Sequence, residues 1–283
     1  MYCRGVSVLG EPRLNAHDHG VWSRWMIMAA RHSRTGLFQR QVDQALRLVE
    51  QCLEESGGDA AVMWSGGKDS TVMAHLIATV FGGVPLVSEK DDLDFPGEEE
   101  YVTRLATEWG AELEIIRPPI SPAEWMRDNA HRLGVADDIH SRAAELSKAV
   151  FYRVVEEANE RREAIFLGLR AEESWGRTMN RAAHGVLYRR SSPTHDNGQL
   201  VCTPLGDWQG IDVYAYAHVY GIDLLPVYRC VGLMHDREPW RVRKSWWVPG
   251  GATRHGGVVW LRHYWPSLYR RLTDWFPAAQ SYS

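Results

Sequence analysis

The sequence predicts an α/β protein built on a doubly wound, mostly parallel five-stranded sheet, followed by a C-terminal extension. Three observations carry that prediction. Short apolar runs alternate with stretches of helical periodicity along most of the chain. The first such run, Ala60-Ala61-Val62-Met63-Trp64, passes through a glycine turn, Ser65-Gly66-Gly67-Lys68-Asp69-Ser70, straight into the helical pattern Thr71-Val72-Met73-Ala74-His75-Leu76-Ile77. A later run, Ala164-Ile165-Phe166-Leu167-Gly168, ends as abruptly in a charged segment. Ligands of doubly wound sheets bind beyond the C-terminal strand ends, where the strand order reverses, so these two segments are expected to meet in one crevice.

The other elements follow in order. Residues 1–38 show no clear period, and Trp22, Trp25, Met26, Ile27 and Met28 mark a segment that packs on the body. His17-Asp18-His19 reads as surface polar residues rather than a metal site. A helix over Gln39–Glu55 has one apolar face (Val42, Ala45, Leu46, Val49, Cys52, Leu53) and is stopped by Ser56-Gly57-Gly58. The helix after the glycine turn runs to Phe81 and ends at Gly82-Gly83; Val84–Val87 is the second strand. Phe95–Trp109 is a helix, Ala111–Ile116 the third strand, and Ser141–Arg161 a long helix before the fourth strand. Val186–Leu205 reads as a hairpin turning at Pro193–Gly198, and Ile211–Tyr220 as a short helix. The domain division expected is a packing segment (1–38), a nucleotide-binding α/β domain (39–232) and an extension (233–283).

Composition narrows the function classes. The formal net charge of −4 over 283 residues argues against indiscriminate attraction to nucleic acid or anionic membrane. No run is long and apolar enough to span a bilayer, and the first residues lack the apolar core of a secretory signal. The four cysteines, Cys3, Cys52, Cys202 and Cys230, form no C-x-x-C pair, against a zinc or iron–sulfur module. A cytoplasmic protein is expected.

The chemistry begins at Ser65–Ser70. Glycines let the backbone turn and approach a ligand, and the free N–H groups of the following helix favour an anion. Ser65 and Ser70 add hydroxyls, Lys68 a positive charge and Asp69 a magnesium ligand. The spacing is neither G-x-x-x-x-G-K-[ST] nor G-x-G-x-x-G. A second block, Gly168-Leu169-Arg170-Ala171-Glu172-Glu173-Ser174-Trp175-Gly176-Arg177, places two arginines seven apart with carboxylates between them, suited to a polyanion; alone it reads equally as a solvated loop. A third, Pro204-Leu205-Gly206-Asp207-Trp208-Gln209-Gly210-Ile211-Asp212-Val213-Tyr214, ends with Asp212 as the N-cap of the next helix.

Ser65–Ser70 resembles the S-G-G-x-D-S loop of the ATP pyrophosphatase (PP-loop) superfamily. The three blocks together, with Asp94-Phe95-Pro96-Gly97-Glu98, resemble the phosphoadenosine phosphosulfate (PAPS) reductase family within it, over about residues 40–230. The intact loop is more like that of the small subunit of sulfate adenylyltransferase, which uses ATP. The resemblance implies an adenine nucleotide α-hydrolase-like, Rossmann-like fold and cleavage of ATP, with Mg2+, between its α- and β-phosphates. It implies nucleotide contacts from Ser65, Gly66, Gly67, Lys68, Asp69, Ser70, Gly168 and Asp207. Lys68, Asp69, Arg170, Glu172 and Arg177 are the candidate catalytic residues, with Asp69 on the metal. The reductase cysteine segment E-C-G-x-H has no counterpart in the sequence, and the thiol alternative falls to Cys230.

The extension mixes arginine with tryptophan. Arg241, Arg243, Lys244 and Arg254 are candidates for binding phosphates, a second substrate or nucleic acid, whereas Trp260, Leu261, Tyr264, Trp265, Leu268, Leu272 and Trp275 recur at helical spacing and suit packing. The expected function is ATP-dependent adenylyl transfer to a small oxyanion, carbonyl or carboxylate acceptor, in sulfur metabolism or nucleic-acid modification. The alternatives are a thiol-dependent sulfonucleotide reductase and a non-catalytic nucleotide- or nucleic-acid-binding protein. A homo-oligomer or a partner subunit is the expected assembly.

Overall fold

The computed structural model describes residues 12–92, 94–121, 124, 128, 152–231, 257–275, 277 and 280. Helix α1 (Ala16–His32) precedes α2 (Gly36–Glu55). The α/β body is β1 (Ala60–Met63), α3 (Lys68–Val80), β2 (Leu86–Glu89), α4 (Glu98–Glu108), β3 (Leu113–Ile116), α5 (Tyr152–Asn159) and β4 (Ala164–Leu167). Then come α6 (Trp175–His184), β5 (Leu187–Ser192), β6 (His195–Cys202) and α7 (Gly210–Tyr220). Helices α8 (Gly257–Tyr264) and α9 (Pro266–Trp275) close the described chain.

The sheet has six strands in the order β3-β2-β1-β4-β6-β5, not five. The hairpin supplies both additional members: β6 pairs parallel with β4, and β5 pairs antiparallel on the outer edge. The chain steps outward from β1 to β2 and β3, then returns to the other side of β1 with β4. The order therefore reverses between β1 and β4, whose last residues, Met63 and Leu167, are in register. The glycine turn after β1 and the charged segment after β4 leave the sheet side by side, as expected.

Strand side chains alternate between two cores, as the pleat requires. Ala60, Val62, Leu86, Ala164 and Phe166 face the larger core with α2, α3, α4 and α7. Ala61, Val87 and Ile116 face a smaller one with Ala158 of α5. Leu261, Tyr264, Trp265, Leu268 and Leu272 from α8 and α9 join the larger core.

Two helices differ from expectation. α1 is regular over 17 residues, opened by a capping box between Asn15 and Asp18. Asp18, expected on the surface, is fully buried: its carboxylate accepts from the Asn15 N–H (2.9 Å), the Val231 N–H (3.1 Å) and the Tyr264 hydroxyl (2.6 Å). His17 and His19 flank it on the outside, so the triplet is structural. α7 is capped by Gln209, and Asp212 sits three residues in, accepting the Gln209 N–H at 2.7 Å and meeting His32 Nε2 at 2.6 Å.

Two tests follow. A Cβ at Gly168 would stand 2.6 Å from Ser70 Cα and 2.7 Å from Ser70 N, backbone that cannot yield. Gly168→Ala is expected to cost about 1–3 kcal/mol in urea unfolding, by forcing β4 away from α3. His75 on α3 is buried against Trp109, Tyr216 and Tyr220, with Nδ1 3.1 Å from the Tyr216 hydroxyl. Burial lowers its pKa from 6.5 to about 4. The unfolded chain then binds more protons between those values, so stability is full above pH 6.5 and falls as pH drops toward 4, by about 3 kcal/mol at most. Unfolding curves across that range should be flatter for His75→Leu.

Candidate active site

Trp64 follows β1, and its indole N–H donates to Thr71 Oγ1 at 3.0 Å, which fixes the span of the glycine turn from strand to helix. Gly66 has φ +75°, and a Cβ there would meet Glu98 Oε1 at 3.3 Å and Val102 Cγ1 at 3.4 Å, so conformation and space both call for glycine. The hydroxyls close a ring. The Gly67 N–H donates to Ser65 Oγ (3.4 Å), Ser65 Oγ lies 3.0 Å from Ser70 Oγ, and Ser70 donates to the Gly67 carbonyl (3.0 Å). Gly67 is the N-cap of α3 and makes no side-chain cap hydrogen bond, which leaves the N–H groups of the first turn without a cap from their own helix.

Behind this turn lies a buried charge cluster. Lys68 is 2% exposed and Arg170 is 0% exposed, unusual for either type. Asp69 joins them: Oδ2 accepts from Lys68 Nζ and Oδ1 from Arg170 Nε, each at 2.6 Å. Burial alone would push the Asp69 carboxyl up, but the two cations outweigh it and hold it below the ordinary range. Burial, aided by Arg170, lowers the Lys68 pKa against the pull of Asp69. Arg170 also donates through Nη1 to Glu172 Oε2 (2.6 Å), which accepts the Gly210 N–H (2.7 Å) at the start of α7. Arg170 Nη2 is buried with no hydrogen-bond partner among the described residues.

The structure thus unites Ser65, Gly66, Gly67, Lys68, Asp69, Ser70, Gly168, Arg170 and Glu172 at the β1–β4 switch. Glu173 lies 3.9 Å from Lys68 Nζ and ion-pairs with Arg177 at the half-exposed rim. Asp207 lies on the surface in a two-pronged pair with Arg181 of α6, both contacts 2.8 Å. Arg241, Arg243, Lys244 and Arg254 lie outside the described residues. The expectation that Asp69 carries magnesium does not fit: both its oxygens are committed to cations, which would also repel a divalent ion. The glycine turn and the idle Arg170 Nη2 do fit a phosphate chain.

Two functional candidates, Tyr228 and Lys90, were given no role in the sequence reading, and Glu98 entered it only as part of the Asp94–Glu98 stretch. Tyr228 is buried, and its hydroxyl accepts the Lys68 N–H at 2.8 Å. Lys90, just past β2, and Glu98, at the start of α4, are buried and pair at 2.5 Å, with Glu98 beside Gly66. The Pro226-Val227-Tyr228 turn was a visible signal for the first; the contact across 160 positions was not. Cys230 is fully buried, its thiol directed at the Pro226 carbonyl (3.8 Å).

Sulfate adenylyltransferase subunit 2 of Caulobacter sp. (strain K31) is 23% identical over 203 residues, covering 67% of this chain and 66% of that protein. The chain thus spans just under two thirds of that relative. Phosphoadenosine 5'-phosphosulfate reductase of Serratia proteamaculans (strain 568) is 25% identical over 214 residues, covering 71% and 80%. Among solved structures, the PAPS reductase of Candida auris in its phosphate complex aligns with a TM-score of 0.49 at 17% identity, over 64% of this chain and 81% of that one. The family model of the phosphoadenosine phosphosulfate reductase domain matches residues 59–272, and the chain belongs to that family.

Proposed function

We propose that the protein transfers the adenylyl group of ATP to an oxyanion acceptor and releases pyrophosphate. One observation carries this reading above the others: a glycine turn at a helix start is backed by a buried lysine and a buried arginine with an idle N–H. Such a site stabilises negative charge that develops on a leaving phosphate chain. In the reaction an acceptor oxygen attacks the α-phosphorus, the bond from that phosphorus to the bridging oxygen breaks, and the electron pair leaves with pyrophosphate. The acceptor keeps the AMP as a mixed anhydride. Lys68 and the loop hydroxyls face the departing phosphates. Arg170, held by Asp69 and Glu172, spans the turn and the acceptor side, where Arg177 forms the rim. Magnesium would be brought by the substrate itself, as MgATP, rather than held by Asp69.

The relatives support a sulfate-like acceptor, since several are sulfate adenylyltransferase subunits; their designation as subunit 2 supports a companion chain. A cytoplasmic setting accords with the substrate, and no described helix is long and apolar enough to cross a membrane. The reductase alternative would need a thiolate at the substrate, and burial of Cys230 weighs against it.

Calorimetry with MgATP and an assay for pyrophosphate, with sulfate and related oxyanions, test the proposal. Binding at micromolar to millimolar concentrations is expected, and Lys68→Ala should lower pyrophosphate formation at least about tenfold, or about 1.4 kcal/mol of barrier. Arg177→Gln should raise the acceptor KM with stability changed by no more than about 0.5 kcal/mol. No ATP binding at millimolar concentration would overturn the reading whether or not a companion subunit is supplied.

A further inference from the structure

Tyr228 sits where the mechanism above gives it no role. It lies on a short 3-10 turn, Pro226–Arg229, and is 2% exposed. Its hydroxyl oxygen accepts the Lys68 N–H at 2.8 Å, the first N–H of α3. That oxygen stands 3.4 Å from where a Gly67 Cβ would be, at the mouth of the glycine turn. The Lys68 ammonium lies 5.5 Å from the centre of its ring.

A phenol is a donor as well as an acceptor. Among the described residues the Tyr228 hydrogen is donated to no group. Burial first, then the charge of Asp69, push the phenol pKa well above its ordinary value, so the hydrogen stays on the oxygen at every physiological pH. A buried hydroxyl with an idle hydrogen is an uncommon arrangement that a ligand oxygen would complete. The second idle donor, Arg170 Nη2, belongs to the same cluster through Asp69.

We propose that Tyr228 is a phosphate-binding residue of the loop, relaying the Lys68 N–H outward by donating its own hydroxyl hydrogen to an oxygen of a condensed phosphate. The relay moves the donor at the helix start from the backbone to the tip of a rigid side chain. Val227 and Cys230 are both buried, and Pro226 opens the turn, so the ring is fixed before the ligand arrives. Pyrophosphate and the β,γ end of ATP share the chemistry recognised; AMP lacks it. The inference rests on the loop being a phosphate site, as in the reading above, but not on ATP being cleaved.

The test is calorimetric titration of the whole chain with inorganic pyrophosphate, ATP and AMP. Tyr228→Phe is expected to weaken pyrophosphate and ATP by at least about tenfold and to leave AMP within about twofold. Equal or tighter pyrophosphate binding by Tyr228→Phe would overturn the proposal, because the hydroxyl would then be a plug that phosphate displaces. So would wild-type protein that binds no pyrophosphate at millimolar concentration. Pyrophosphate binding without turnover of ATP would instead defeat the adenylyl-transfer reading and leave Tyr228 in place. Since Tyr228→Phe also strips the buried Lys68 N–H of its acceptor and can unfold the loop, 3-fluorotyrosine installed at position 228 gives a second readout. Its fluorine resonance should move on saturation with pyrophosphate, and an unmoved resonance overturns the proposal.

Discussion

The Asp69 carboxylate, held between the Lys68 ammonium and the Arg170 guanidinium, is the constraint on which the rest of the site depends. Two cations this deeply buried would each carry a desolvation penalty of several kcal/mol if left alone. One carboxylate offsets part of both, at 2.6 Å to each. To do so the segment after β1 must touch the segment after β4, 101 residues later. The parallel register of Met63 with Leu167 brings them level. Gly168 lets the backbones close to a distance no side chain would permit. Sheet topology, one glycine and one carboxylate are therefore a single device, and its product is a pair of buried cations held in place at the start of α3.

The strap that carries Tyr228 is fixed from both ends of the chain. Asp18 of α1 accepts the Val231 N–H, and with the same oxygen the hydroxyl of Tyr264 from α8. Trp260 of α8 donates its indole N–H to the Cys230 carbonyl at 3.1 Å. Three side chains from two elements remote in sequence, α1 and α8, thus clamp residues 228–231 against the start of α3. A carboxylate that accepts several hydrogen bonds while buried is satisfied only in one arrangement, which gives the clamp its specificity. The terminal helices extend the large core, and through this strap they also bear on the glycine turn at the start of α3.

Much of this was legible in the sequence because it is local. Strand, glycine turn and helix start occur in one unbroken stretch, and the apolar spacing of α2, α3 and α4 matches their buried faces. What was missed lies where local pattern and tertiary context diverge. α6 buries none of its residues, and Trp175 stands 78% exposed, so the apolar period that reveals a helix has nothing to register. Its marks are terminal instead: Ser174 accepting the Arg177 N–H, and Gly185 beyond the end. α1 was hidden for a related reason, its Asn15–Asp18 capping box being clear but its apolar residues scattered. The sixth strand was folded into a hairpin expectation that counted one sheet member. Asp69 looked like a metal ligand because residue type says only that it is an anion. That its charge is spent on Arg170 is a fact of pairing across the fold.

The same distinction bears on which chemistry of the family this chain can run. A reductase needs a sulfur that reaches the substrate and can ionise there; a transferase needs charge that is already in place. The described cysteines, Cys52, Cys202 and Cys230, are all buried. Cys230 lies on the clamped strap, its thiol on the Pro226 carbonyl and its own carbonyl on Trp260. That sulfur sits on the same residues whose backbone Asp18 and Trp260 hold, two positions from Tyr228. The cations, by contrast, need no movement: Lys68 and Arg170 are held before any ligand binds, and preorganised charge does not have to reorganise as the phosphorus–oxygen bond breaks. In this fold the strap that holds the start of α3 keeps its cysteine buried, so the proposed transfer draws on charge already in place rather than on that sulfur.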